Sequence, residues 1–206
     1  MAIEDRRARE RAARRALITT TARKLAEKEG WDAVTTRRLS AEIEYSQPVL
    51  YKHFSGMEDI AASVAVEGFG ELAHALCGAR GDATDGRDAV TRVARAFIGF
   101  ARDNPALFDA MFTRATTLPF AAEDTPAELT EAFAELRAAV AMVAGPRDPD
   151  TLTEVVWAAL YGLVTLERAG RLRPDQHAAR FDILISGFCG ATASTAGFPN
   201  AGAGSG

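Results

Sequence analysis

Gln47, Tyr51, Lys52 and His53 fall within one seven-residue stretch. Gln carries a donor and an acceptor side by side, the pattern that pairs with the edge of adenine. Phenol, ammonium and imidazole groups donate to phosphate oxygens. Thr35, Arg37 and Arg38 lie a little upstream and add a hydroxyl and two guanidinium groups. Ser46 adds a second hydroxyl, and Pro48 and Val49 are apolar groups suited to a thymine methyl. Singly, the arginines fit a solvated helix face and His53 a structural histidine. Together they have the chemistry of a double-stranded DNA contact.

No catalytic constellation accompanies them. His53, His74 and His177 are far apart, and no HExxH, GxSxG or P-loop pattern occurs. Cys77 and Cys189 have no CxxC spacing and no neighbouring histidine, so they read as free thiols in a reducing cytosol. Neither an enzyme nor a metal or cofactor site is expected.

The polar set needs rigid elements to position it. Leu39 and Ile43 give a first short helix an i, i+4 apolar face. Val49, Leu50, Phe54 and the ring of Tyr51 give a second. Glu44, Tyr45, Ser46 and Gln47 form the break between them, with Ser46 placed to cap the second helix and Pro48 in its first turn. Two helices of about two turns need a third to bury their faces, and the periodic stretch from about residue 10 to Glu29 supplies it. Its expected buried stripe is Leu17, Thr21, Ala22, Leu25 and Ala26, closed by Gly30 with Trp31 folding back. This is a helix-turn-helix layout.

The segment resembles the DNA-binding head of the TetR family of bacterial transcriptional regulators. The resemblance rests on Val34-Thr35, Leu39-Ser40, Ser46-Gln47-Pro48-Val49-Leu50 and above all Tyr51-Lys52-His53-Phe54, and it covers residues 12–64. It implies that Tyr51 and His53 bond backbone phosphates, with Lys52 suited to the same task. Two positions depart from the family pattern. Glu44 stands where the family usually has a turn glycine, which implies either a less tight turn or strain at Glu44. Met57 stands where a lysine often touches phosphate.

Charge is divided along the chain. Residues 1–53 hold twelve Lys and Arg against eight Asp and Glu, a balance of +4. The remainder holds twelve against twenty, a balance of −8. A basic head that meets phosphate and an acidic body that does not would produce this asymmetry. No uninterrupted apolar run approaches roughly 18 residues, so neither a membrane span nor a membrane partner is expected, and the Arg-rich start lacks the apolar region of a signal peptide.

The expected organisation is all-α. A flexible basic arm covers residues 1–9, a helix-turn-helix domain 10–54, a helical ligand-binding and dimerisation domain 55–197, and a flexible tail 198–206. Helical spacing marks about six helices in the body. Phe97, Phe100, Phe108, Met111, Phe112, Phe133, Trp157 and Tyr161 come from four of them. Core packing accounts for each ring taken alone. In TetR-like proteins these helices surround a small-molecule pocket, so the resemblance implies a small effector. The converging rings and a body with few candidate buried charges point to one that is mostly apolar and uncharged or weakly anionic. Phe181, Leu184, Ile185 and Phe188 on the last helix are expected to divide between the subunit core and a homodimer interface.

The resemblance thus implies a cytoplasmic, dimeric DNA-binding regulator, most often a repressor in this family. Its recognition helices would sit about 34–36 Å apart until an effector changes their spacing. The alternative is a helical ligand-binding or protein-interaction module that no longer reads DNA, which Glu44 and Met57 keep open.

Overall fold

The computed structural model describes residues 2–114, 118–120 and 122–190. Nine α-helices and no strand occur among them. Helices α1 (Ala2–Glu29), α2 (Thr36–Glu42) and α3 (Gln47–Tyr51) form the head, with a 3₁₀ turn at Trp31–Ala33. Helices α4 (Met57–Gly81), α5 (Gly86–Asp103), α6 (Pro105–Asp109), α7 (Ala127–Ala141), α8 (Pro149–Arg168) and α9 (His177–Cys189) form the body. A π-helical turn at Ala110–Arg114 continues α6.

Two expectations about α1 are corrected. The helix begins at Ala2 rather than near residue 10, so residues 2–9 continue α1 as helix. Ala, Arg and Glu are strong helix formers, and an Arg6–Glu10 pair and an Arg9 bond to the Asp5 carbonyl brace the exposed turns. The buried stripe differs at its start, where Ile18 replaces Leu17, while Ala22, Leu25 and Ala26 are buried as expected. Leu17 is 42% exposed. Thr19 is buried beside Ile18 and gives its hydroxyl to Glu67 of α4 at 2.7 Å.

Leu39, Ile43, Leu50 and Phe54 close the head core against this stripe, as their spacing predicts. Thr35 caps α2 by accepting from the Arg38 amide. Glu44 ends α2 with φ 56, the left-handed value. The Tyr45 amide then donates to Ser40 O at 3.0 Å, which closes a Schellman turn. The glycine-type conformation is therefore kept without the glycine. Ser46 has the extended backbone of an N-cap, but its side chain makes no capping bond, so its hydroxyl stays available.

Helix α4 is the spine of the body and packs on α1, α5, α6 and α7. By length and composition it would pass for a membrane span, but half of the qualifying window is buried among the other helices. Gly68 lets α6 approach α4 closely. A Cβ there would lie 2.7 Å from Leu107 Cδ1 and 2.8 Å from Met111 Sδ. The segments expected as a tail, 198–206, and at the end of the last helix lie outside the described residues.

Candidate nucleic-acid interface and body cavity

Helix α3 is one and a half turns long and buries only Leu50 completely. Ser46, Gln47, Pro48, Tyr51 and Lys52 are exposed, and Val49 is half-buried. Tyr51 is 55% exposed although its aromatic body is large and apolar. Thr35 and Arg37 are exposed at the start of α2, and Arg37 has no ion-pair partner among the described residues. Arg38 differs. It bridges Glu29 and Glu42 at 3.1 and 3.0 Å, so it is already neutralised within the head.

His53 is half-buried at the end of α3, and its Nδ1 is buried without a partner. Burial lowers its pKa first, and the positive charges of Arg14, Arg15, Arg11 and Lys52 lower it further. The imidazole is thus held neutral inside a ring of cations. Arg15 organises that ring. It donates to the His53 carbonyl and to Ser63 Oγ at 3.1 Å, and its guanidinium lies 4.0 Å over the Phe54 ring. Sequence reasoning passed over Arg11, Arg14 and Arg15. Their i, i+3, i+4 spacing puts them on one face of α1, and that was the available signal.

The body places the predicted rings unequally. A cavity of about 420 Å³ is lined by Phe97, Phe112, Phe133 and Trp157, with Phe69, Phe120 and aliphatic residues of α4 and α7. An adjoining one of about 390 Å³ is lined by Met111, Phe112, Phe120, Glu154, Trp157, Ala158 and Tyr161. Phe108 lines neither; it is 2% exposed and stacks on Tyr161 with centroids 5.9 Å apart. Phe100 packs half-buried against the core and also lines neither cavity. Phe69 and Phe120 also line the larger cavity, although neither was among the expected lining residues.

The cavity wall hangs directly on the head. Both oxygens of the Glu27 carboxylate accept from the first turn of α6, from the amides of Ala106 and Leu107 at 3.0 and 2.9 Å. Trp31 is buried and donates its indole N–H to the Ala106 carbonyl at 2.7 Å. It anchors the head to the body rather than only folding back on α1. Arg23 pairs with Glu71 of α4 and reaches Asn104 Oδ1 at 3.0 Å. Arg114 at the end of the π turn pairs with Asp32 at 2.9 Å.

On the last helix Ile185 is buried, while Phe181, Leu184 and Phe188 are half-buried against the core. Ile183, which sequence reasoning did not single out, is 73% exposed. No group of three or more His, Cys, Asp or Glu able to hold a metal occurs among the described residues.

The exposed short α3 following α2, set on a cavity-bearing helical body, defines a helix-turn-helix fold. Residues 18–64 match the bacterial regulatory proteins of the tetR family, and residues 90–188 match the tetracyclin repressor-like C-terminal domain. The chain belongs to the TetR family. It is 31% identical over 98 residues to YobS of Bacillus subtilis, an uncharacterized HTH-type transcriptional regulator, covering 46% of this chain and 49% of that one. It is 31% identical over 151 residues to Rv0681 of Mycobacterium tuberculosis, another uncharacterized HTH-type regulator, covering 70% of this chain and 65% of that one. Less than two thirds of either relative is therefore spanned. A structure of a Rhodococcus sp. RHA1 protein of unknown function shares the fold, with a TM-score of 0.69, 24% identity and coverage of 85% of this chain and 93% of that one.

Proposed function

We propose that this protein is a sequence-specific transcriptional regulator, acting as a cytoplasmic homodimer and not as an enzyme. It represses by occupying a DNA operator and is released by a small, mostly apolar effector. The division of labour follows the expected boundary. The helix-turn-helix ends at Phe54, and the body from residue 55 holds the effector and makes the dimer. One observation carries the reading: an exposed polar α3 face beside a neutral imidazole ringed by Arg11, Arg14, Arg15 and Lys52.

The residues divide by chemistry. Gln47 reads a base edge, and Pro48 and Val49 touch thymine methyls. Thr35, Arg37, Ser46, Tyr51, Lys52 and His53 hold phosphate, with the N-terminus of α2 helping at Thr35. Effector binding in the cavity biases α6 and its π turn, and the Glu27 and Trp31 bonds pass that bias to α1. The coupling is only as large as the effector's preference between the two states.

Anisotropy titration on fragments selected from the source genome tests this. Affinity should fall steeply with salt. Tyr51→Phe and His53→Ala should weaken all sequences alike. Gln47→Ala should flatten preference at one base position, at a cost of about 1–3 kcal/mol of discrimination. Absence of any salt-dependent binding would favour the rival reading of a helical module that no longer reads DNA.

A further inference from the structure

The cavity's charges are one-sided. Asp150 and Glu154 are the ionisable groups lining the 420 Å³ cavity, and Glu154 also lines its neighbour. Among the described residues, no Lys, Arg or His lines either one. The two carboxylates differ in state. Asp150 is paired with Arg137, whose own pKa it raises by hydrogen bonding and then by charge. Glu154 has no hydrogen-bond or ion-pair partner among the described residues, and it is exposed. Around it stand Phe112, Phe120 and Trp157, shared by both cavities. Phe112–Trp157 and Phe120–Trp157 centroids are 6.0 and 6.3 Å apart.

We propose that this site takes a lipophilic monocation, an aromatic or alkyl-aromatic amine or quaternary ammonium, with Glu154 as its counter-ion. The inference rests on the effector reading above and names the effector's chemical class. Three physical arguments converge. Ring faces carry negative quadrupole density and attract cations. An anion would meet a free carboxylate and no compensating charge. A neutral ligand that filled the space would strip water from Glu154 and leave it unpaired, which is costly; a cation offsets that cost. Asp150 already has Arg137, so one positive charge is called for. A volume of about 420 Å³ suits one aromatic ring with a short chain. The uncharged or weakly anionic effector expected from the sequence is thereby replaced. That expectation counted few buried charges but did not place Glu154 at the cavity wall.

Calorimetric titration of the full chain with three ligands of matched length tests it: phenylbutyltrimethylammonium, phenylpentanol and phenylpentanoate. The cation should bind about tenfold more tightly than the alcohol, with the carboxylate weakest. Glu154→Gln should remove most of the cation's lead while leaving the alcohol within about twofold. Glu154 is exposed, so the variant should melt with the parent, and a melting curve verifies that. If the alcohol binds but the cation binds no tighter, or if the variant weakens all three alike, the charge assignment is overturned and the effector cavity stands. If none of the three binds, the cavity reading falls with it.

Discussion

His53 titrates against a field set by its neighbours, and that gives it two opposite pH signatures. In the free protein, burial and the surrounding Arg and Lys charges hold its pKa below the ordinary imidazole value. The folded state therefore disfavours the proton. Its contribution to stability is fully present above about pH 6.5 and is lost as pH falls through the lowered folded value. A DNA phosphate beside the ring reverses the local field, so binding takes up a proton. DNA affinity should rise as pH falls below about 6.5, by up to about tenfold per pH unit, while the melting temperature of the free protein falls. His53→Gln should flatten both slopes. A pH-independent affinity in the parent would remove His53 from the phosphate contact. Glu44 offers a simpler test at this scale. Its φ of 56 is one that glycine adopts freely. Glu44→Gly should raise stability by about 0.5–1 kcal/mol in denaturant melts, the relieved strain being partly offset by glycine's greater freedom when unfolded. The residue chemistry of α3 was legible because Gln47, Tyr51 and His53 are local to one helix. Arg15 was not, because its partners His53 and Ser63 lie 38 and 48 residues away. No periodicity rule reaches across that distance.

Among the elements, α6 is as short as α3 but has the most consequential neighbours. Five residues cannot hold a helix alone. Its first turn is completed by Glu27 of the head, and Met111 and Phe112 of the following π turn line a cavity. Helical spacing marked α4, α5, α7 and α8 well because each shows a sustained apolar stripe. It marked Phe108 and Met111 as helical but could not show the π turn, which turns on backbone bonding rather than side-chain pattern. Nor could it show the seating of Trp31 on Ala106, a contact spanning 75 residues. If α6 joins the two regions, linkage requires DNA to act on α6 as much as an effector acts on DNA. Adding operator DNA should change the deuterium uptake of residues 104–114. Glu27→Ala should leave the head able to bind DNA but abolish that change, and should cost about 1–3 kcal/mol of stability through the two lost charge-assisted bonds. Unchanged uptake in the parent would place the coupling elsewhere. Gly68→Ala probes the same contact from the other side. Crowding Leu107 and Met111 should outweigh the gain in helix propensity and destabilise by about 1 kcal/mol net.

At the scale of the molecule, α8 and α9 leave apolar surface that the single chain does not cover. Val155 and Leu166 are 50% and 41% exposed on α8, and eleven residues apart they share a face with Ala159 and Gly162. On α9 Ile183 is 73% exposed, with Gly187 one turn on. A Cβ added at Gly162 or at Gly187 would meet nothing within 4 Å. Two helices with apolar residues flanked by small ones can approach a symmetry mate closely, and a two-fold axis repeats every such contact. In a dimer built on these faces, the expected interface set, Phe181, Leu184, Ile185 and Phe188, would mostly support the contact from behind, with Ile183 at its centre. The last helix was legible as doubly apolar. Which side faces the core was not, because that depends on how α5 meets it, as where Arg95 lies 5.3 Å over Phe181. Sedimentation at micromolar concentration should give about twice the chain mass of 22.0 kDa. Ile183→Asp should give the monomer mass. Because Ile183 is exposed within the chain, its replacement should leave the helical circular-dichroism spectrum intact. Affinity for a two-half-site operator should drop by about a hundredfold or more, since each head then binds without the linkage to its mate. A dimer that survives both Ile183→Asp and Leu166→Asp would show that the α8 and α9 faces are not the interface.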